Sequence, residues 1–381
     1  MASIPSIALI PSGYKASKLY SVLPTNGNAD LTVVRNSTAN RINKDGLIES
    51  MAVNVPLLDH SNGTCPSLLL QPQSTNLITY PLSFDNAYWT ISGATVTSGF
   101  SAPSVDNPTS AFKLVTTSNS SLLYRGSTGS TGENTVSVYA KSNTSSDQKF
   151  RFFGNGNTLV SDDKIANQDW QRFEFTGTFS SVTWGIKGAS VSETNDILIF
   201  GYQHEVQSYA TSLMLPATEG STTTRLKDEV SKTGLSAEIG QTEGTIFLDF
   251  IPQTLDATSR FLSIENSSSA SNGWMGVFAK VASGNIRFRF YGDGWDFNST
   301  LIVERDTRYK IAVSYENGVQ TSAYVNGNLI GNLTASLSGK SFQKIRLSEA
   351  AFGVRGDANF NDFRLYKTAL TDAELTTLTT I

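Results

Sequence analysis

The chain has 381 residues, 39% of them hydrophobic, with 29 Lys and Arg against 33 Asp and Glu and a formal net charge of −4. That length and apolar content allow two or three domains with cores of their own, and without a basic block the electrostatic footprint of nucleic-acid binding is missing. One cysteine, Cys65, and two histidines, His60 and His204, exclude an intrachain disulfide and a Cys/His zinc site, and no run of about 18 apolar residues offers a membrane-spanning helix.

Charged residues make up only 16% of the chain while Ser, Thr, Asn and Gly are abundant, a balance produced by short strands joined through polar turns. The expected class is therefore all-β. The opening "MASIPSIALIPSGYK" lacks the basic stretch and the long apolar run of a secretory signal. Residues 1–75 alternate short apolar pieces with polar breaks, as in "LTVVRNSTANRINKDGLIESMAVNVPLLDH", and read as an extended segment. Asp45-Gly46 marks a hairpin there, and "CPSLLLQPQSTNL" holds a short strand closed by Pro72. Isolated strand pairs are marginal in water, so this segment is expected to dock on another domain or another subunit.

Residues 76–228 carry a strand series: "AFKLVTT", "SLLYRGS", "NTVSVYAKS", "KFRFFGN", "WQRFEFTGTF", "TWGIKGA" and "DILIFGYQHEV". Their turn spacing suits a β-sandwich or jelly roll, and Val136, Val138 and Ala140 alternate with Thr135, Ser137 and Tyr139 as if one face were buried and one wet. Residues 229–242 read as a polar linker or edge segment. A second series over 243–381 starts at "GTIFLDFIP" and includes "YENGVQTSAYVNGNLIGNL", where Asn317-Gly318 and Asn326-Gly327 predict two successive type I′ hairpins. A final strand, "NDFRLYK", precedes one short helix with Thr371 and Glu374 at capping-box spacing. The whole is expected to be two antiparallel β-sandwich domains after an extended N-terminal segment.

The best ligand-site candidate is "RFRFYGDGWDFNST", where Tyr291, Asp293, Trp295 and Asp296 crowd one Gly-broken loop. A sugar needs a flat apolar platform for its C–H face and acceptors for its hydroxyls, and the loop supplies both. Two further readings stand beside it: a turn whose Trp packs on the sandwich, and a calcium site built from Asp293, Asp296 and Asn298, although the spacing departs from the EF-hand. Trp184 is a further candidate sugar platform, whereas Trp170 is expected in the core. His204 and Glu205 are adjacent on a strand and so face opposite ways, which suits no catalytic pair. No local pair of carboxylates, Gly-x-Ser-x-Gly elbow or activated cysteine points to hydrolysis. No catalytic residue, resident metal or cofactor is assigned beyond the calcium reading.

Three ordered motifs, Tyr324-Val325-Asn326-Gly327, Phe360-x-Asp362-x-Arg364-x-Tyr366 and Ala369-Leu370-Thr371-x-x-Glu374-Leu375, resemble the C-terminal halves of concanavalin A-like, laminin-G-like jelly rolls over residues 243–381. The fold alone fixes no function, since it hosts lectins, enzymes and adhesion modules. Thr75-Asn76-Leu77, the strand Thr135 to Lys141, and Gly201, Gln203, Glu205, Ala210, Thr211 and Ser212, followed by "TTTRLKD", resemble carbohydrate-binding-module-like jelly rolls of phage structural proteins, with Tyr202 and His204 departing from the pattern. The block "RNSTANRINKDGLIESMAVNVPLLDHSNGTCPSLLLQPQSTNL" is similar to elements that precede such modules in head-fibre and tail-fibre proteins of tailed bacteriophages.

These resemblances imply a non-enzymatic virion surface protein, assembled in the host cytoplasm. It would join other virion proteins through residues 1–75 and present its sandwiches to host-surface or environmental glycans, as a homo-oligomer expected to be a trimer. The competing expectations are a purely structural capsid or tail decoration protein and a polysaccharide depolymerase. Neither nucleic acid nor membrane insertion is expected.

Overall fold

The computed structural model describes residues 3–126, 132–179, 183–255, 259–266, 273–282, 285–292, 295–334, 336–348 and 356–381. The regular structure of the described chain is almost entirely strand, with one α-helix, and the chain divides into two units, each discontinuous in sequence. One comprises residues 1–38, 51–72 and 227–381; the other comprises 39–50 and 73–226.

In the unit built mainly from residues 73–226, all seven expected strands form, and they pair antiparallel into two sheets. The first runs Ala94–Phe100, Ala111–Thr116, Asn195–Glu205, Gly132–Ser142, Gln171–Phe179. The second is centred on Leu122–Gly126, Thr183–Gly188 and Gln148–Gly154. Alternation sends Val136, Val138, Ala140, Phe150, Phe152, Ile197 and Ile199 into the shared core. The opposite face of Gly132–Ser142 is not wet, however: Thr135 and Ser137 are 1% exposed. The Thr135 hydroxyl donates to the Gln207 carbonyl at 2.8 Å and Arg172 Nη2 donates to the Ser137 hydroxyl at 3.0 Å, so a covering segment and a neighbouring strand replace water. Trp170 is half-buried, with Lys141 Nζ 5.6 Å from its ring, instead of sitting fully in the core.

The other unit is also a two-sheet sandwich. Its first sheet is ordered Asn328–Leu333, Thr321–Val325, Tyr309–Glu316, Glu243–Pro252, Ala358–Tyr366, Ser67–Leu70, Leu58–Asp59, with Ile7–Leu9 also paired to Ala358–Tyr366. Its second is ordered Tyr14–Lys15, Lys18–Leu19, Leu31–Val34, Glu229–Thr233, Lys344–Leu347, Arg260–Glu265, Trp274–Ala282, Asn285–Gly292, Trp295–Ile302. Leu68, Leu248, Phe250, Phe261, Phe288, Phe290, Ile311 and Phe363 fill the space between them; each fully buried apolar side chain of this size contributes about 1.5–3 kcal/mol.

The N-terminal segment, expected to dock on another domain or another subunit, takes the first course within this chain by adding strands to both of these sheets. Residues 229–242 are likewise neither linker nor edge at their start, because Glu229–Thr233 pairs with Leu31–Val34 on one side and Lys344–Leu347 on the other. Arg35, the first residue of the most specific N-terminal motif, is 0% exposed. It donates to Asp228 Oδ1 at 3.1 Å and to the carbonyls of Ser37, Ala52 and Val55, while Asp228 Oδ2 accepts from the Gln71 amide at 3.0 Å. Full hydrogen bonding is what makes a buried ion pair tolerable.

Of the two expected I′ turns one forms: Asn326 and Gly327 take φ of +49° and +80° between the paired residues Val325 and Asn328. At Asn317-Gly318 only the glycine is at positive φ, +73°, and residues 317–320 make a longer connection. Helix α1, Asp372–Thr379, starts with the capping box of Thr371 and Glu374. Leu370 and Leu375 pack on Phe247, Ala312, Tyr324 and Tyr366, so the helix closes part of the outer face of the first sheet.

Candidate functional site

The outer face of the nine-stranded sheet carries the side chains that strand alternation turns away from the core. In Trp274–Ala282, Met275, Val277 and Ala279 join the core, which leaves Trp274, Gly276, Phe278 and Lys280 outward; in Asn285–Gly292, Phe288 and Phe290 point in, which leaves Arg287, Arg289 and Tyr291 outward. Strand register then sets Arg346, Ser263, Gly276, Tyr291 and Asp296 in one cross-strand row, and Arg260, Phe278, Arg289 and Asn298 in the next.

Trp274 and Phe278 are four residues apart on an extended strand, yet their rings stack at 5.0 Å with planes 11° apart. Gly276 lies between them, and a Cβ there would stand 2.4 Å from the Leu262 carbonyl oxygen and 3.0 Å from the Phe278 ring, so the glycine is what lets the rings fold together. Tyr291 lies 5.2 Å from Trp274, tilted by 54°. The Arg260 guanidinium sits 5.2 Å from the Phe278 centroid and 5.8 Å from that of Trp274, and Arg289 sits 4.6 Å from Tyr291, within cation–π range. Trp274 and Phe278 are buried, while Tyr291 remains 36% exposed.

Arg289 binds Asp296 bidentately at 2.9 and 2.8 Å, and this hydrogen bonding holds the Asp296 carboxyl below its usual range. Burial, followed by the charge of Arg289, lowers Arg260. Glu265 accepts from Ser263 Oγ at 2.6 Å and from Arg346 Nε at 3.2 Å. The arrangement is a rigid aromatic base with one ring open to solvent, flanked by fixed donors and two carboxylates already engaged by arginines.

Of the residues expected from sequence, the structure brings together Tyr291 and Asp296, which are direct cross-strand partners. They stand on strands and not on a loop, because Asn285–Gly292 and Trp295–Ile302 continue the sheet on either side of the glycine break. Asp293 and the side chain of Trp295 lie outside the described residues. Trp184 is corrected: it is 1% exposed, stacked on Tyr202 at 5.7 Å and edge-on to Trp89 at 6.5 Å in the core of the other unit, where no ligand reaches it. Among the described residues no group of three His, Cys, Asp or Glu side chains converges as a metal site, and Asp296 is engaged by a guanidinium. The sequence leaves Trp274 open between core and sugar platform and does not single out Phe278, Arg260 or Arg289 as ligand residues. The alternation in "WMGVF" and "RFRFY" was the signal for three of them, and it fixes a shared face without saying whether that face is inner or outer.

The Gly201, Gln203, Glu205 pattern proves to be a closed network. Glu205, 0% exposed, accepts from Ser74 Oγ, Gln203 Nε2, Gln207 Nε2, Thr211 N and Thr211 Oγ1 at 2.6–3.0 Å. Burial raises its pKa, and these bonds oppose the rise. Asn76 Oδ1 accepts from the amides of Ile78 and His204, and its Nδ2 donates to the carbonyls of Tyr202 and Met214. His204 faces the other way, against Trp184 and within 3.0 Å of Asn134 Oδ1, and burial lowers its pKa to about 4. In the other unit the Phe360-to-Tyr366 motif has a similar role: Asp362 pairs with Arg364 and its cross-strand partner Asp249 with Arg308, both bidentately.

Residues 235–376 match the laminin G model described as the concanavalin A-like lectin/glucanases superfamily. No curated protein gives a match to the chain. Among solved structures, the Ruminococcus gnavus IT-sialidase CBM40 is 18% identical over 37% of this chain and 84% of its own, with a TM-score of 0.30. Domain 4 of AbnA, a GH43 extracellular arabinanase from Geobacillus stearothermophilus in complex with arabinotriose, is 16% identical over 45% and 83%, with a TM-score of 0.34. The heptameric SAP-like pentraxin from Limulus polyphemus is 13% identical over 35% and 68%, with a TM-score of 0.30. None of these likenesses extends to a ligand. The C-terminal region is a concanavalin A-like, laminin-G-like sandwich.

Proposed function

We propose that the protein binds carbohydrate on the outer face of the nine-stranded sheet, laying a sugar ring on Tyr291 and fixing its hydroxyls with Asp296, Arg289 and neighbouring polar side chains. The observation that carries this reading is the open aromatic–guanidinium face, in which Tyr291 is 36% exposed beside the buried Trp274–Phe278 stack. An aromatic face accepts the apolar C–H side of a sugar, and rigid flanking donors and acceptors supply orientation. The lectins named in the description of the matched family support carbohydrate as the ligand class.

Binding without turnover is supported by the engagement of Asp296 and Glu265 with Arg289 and Arg346, which leaves neither carboxylate poised as a general acid. Residence on a tailed-phage particle, as a head or tail fibre or a decoration protein among other virion proteins, is supported by the resemblance of residues 35–77 to phage appendage sequences. In that setting a homo-oligomer, a trimer in this reading, multiplies weak sugar contacts through effective concentration.

A glycan array probed with the full chain and with Tyr291→Ala is the test. Binding by the first and loss by the second are expected; absence of any glycan binding by the unaltered chain overturns the reading. Release of reducing sugar from a bound polysaccharide would overturn the non-enzymatic part.

A further inference from the structure

On the outer face of the nine-stranded sheet, Lys280 and Arg287 are direct cross-strand partners in the antiparallel pair Trp274–Ala282 and Asn285–Gly292. Like charges directly opposite one another on a sheet face are destabilising. A sequence that keeps such a pair retains a local cost that an anion between the two cations would remove.

The surroundings offset it only in part, through the attraction of the Asp296 carboxylate for Lys280. Among the described residues of Arg260–Glu265, Trp274–Ala282, Asn285–Gly292, Trp295–Ile302 and Lys344–Leu347, this face sets Arg260, Lys280, Arg287, Arg289, Lys344 and Arg346 against Asp296 and Glu265. Asp296 is already bidentate with Arg289, and Glu265 is held by Arg346. Arg287 Nε is buried and has no hydrogen-bond partner among the described residues. The chain as a whole carries a net charge of −4, so this surplus of cations is a local feature and not a reflection of composition.

We propose that Lys280 and Arg287 form the anion-recognising end of this face, and that its ligand is a carboxylated polysaccharide. The inference rests on the carbohydrate reading above and adds the chemical class of the sugar. Arg287 and Tyr291 lie four residues apart on one strand, roughly 13 Å at about 3.3 Å per residue, so the ligand spans more than one ring. One sugar lies against Tyr291, and the carboxylate of a further unit sits between the ammonium of Lys280 and the planar fork of Arg287, which matches a carboxylate bidentately.

The experiment measures binding of the full chain to polygalacturonate, to the same polymer fully methyl-esterified, and to dextran sulfate, with Tyr291→Ala, Lys280→Gln and Arg287→Gln alongside. Expected are preference for the free acid over its methyl ester, affinity that falls with added salt, and at least a tenfold loss in Arg287→Gln. In the absence of ligand, Lys280→Gln and Arg287→Gln are each expected to unfold at a temperature equal to or above that of the unaltered chain, because one of two facing cations is gone. Equal binding to acid and ester, an Arg287→Gln variant that binds normally, or variants that melt earlier would overturn the proposal. Binding to dextran sulfate alone overturns the carboxylate assignment. If neutral polymers bind and Tyr291→Ala abolishes it, the carbohydrate reading survives while this inference falls; if none of the three polymers and no array glycan binds, both fall.

Discussion

The two units each hold one dense cluster of polar and aromatic side chains, and the clusters are opposite in kind. Around Glu205, donors and acceptors are buried and bonded to one another, and the aromatic neighbours Trp184 and Tyr202 are fully enclosed. On the nine-stranded sheet, Trp274, Phe278 and Tyr291 form a base with one ring open, and Arg287 Nε has no hydrogen-bond partner among the described residues. The motif that is most readily spelled out in sequence belongs to the closed cluster. A pattern such as Gly-x-Gln-x-Glu with a distant Thr-Ser marks a place where buried backbone needs particular donors and acceptors, and that requirement is structural. The open face has no such motif, because a surface that meets a ligand needs only alternation and a register.

Four measurements sharpen or break this contrast. Glu205→Ala leaves five donor bonds without their acceptor in a buried site. It should cost about 3–5 kcal/mol in urea unfolding, and a cost below about 1 kcal/mol would show that the network is not closed. His204 gives the next largest effect. Its folded pKa is lowered by burial to about 4 from 6.5, so as pH falls from 6.5 towards 4 the unfolded chain takes up the proton first and stability is lost, by up to about 3 kcal/mol. His204→Asn should flatten that slope relative to the unaltered chain, and the difference between the two pH series isolates the histidine from Glu205, whose raised pKa acts with the opposite sign.

On the open face, Gly276→Ala forces a Cβ to within 2.4 Å of the Leu262 carbonyl and against the Phe278 ring. A loss of about 1–3 kcal/mol in thermal or urea unfolding is expected, with sugar binding reduced because the aromatic base is disturbed. Tyr291→Ala should change stability least, by about 1 kcal/mol or less for a ring this exposed, yet remove most carbohydrate binding. If instead it destabilises the fold as strongly as Glu205→Ala, the two clusters are alike and the distinction fails.

Much of this was legible in the residues. Strand positions in both units followed from alternation and turn chemistry, the α1 start from Thr371 and Glu374, and one I′ hairpin from Asn326-Gly327. The Asn317-Gly318 connection shows the limit of a dipeptide signal: paired neighbours on either side set the loop at residues 317–320, and the turn type followed from that length. Tyr291 and Asp296 were found as neighbours in sequence and are neighbours in space through register, a coincidence that holds only because their strands form a hairpin pair. Trp184 and Trp274 share the same local signature, a Trp opening or near the start of an alternating strand beside glycine, yet Trp184 is on the inner face of its sheet and Trp274 on the outer face of another.

The sequence by itself determined that this chain is all-β, where most strands begin and end, and which residues share a face, because period-two alternation and turn residues act over a few positions. Tertiary structure alone decided which face is inner and which is outer. It also decided that Arg35 meets Asp228 across 193 positions and that Lys280 is set opposite Arg287. These depend on which strands pair and which sheets pack, a choice made by burying apolar area distributed over the whole chain and not by any segment of it.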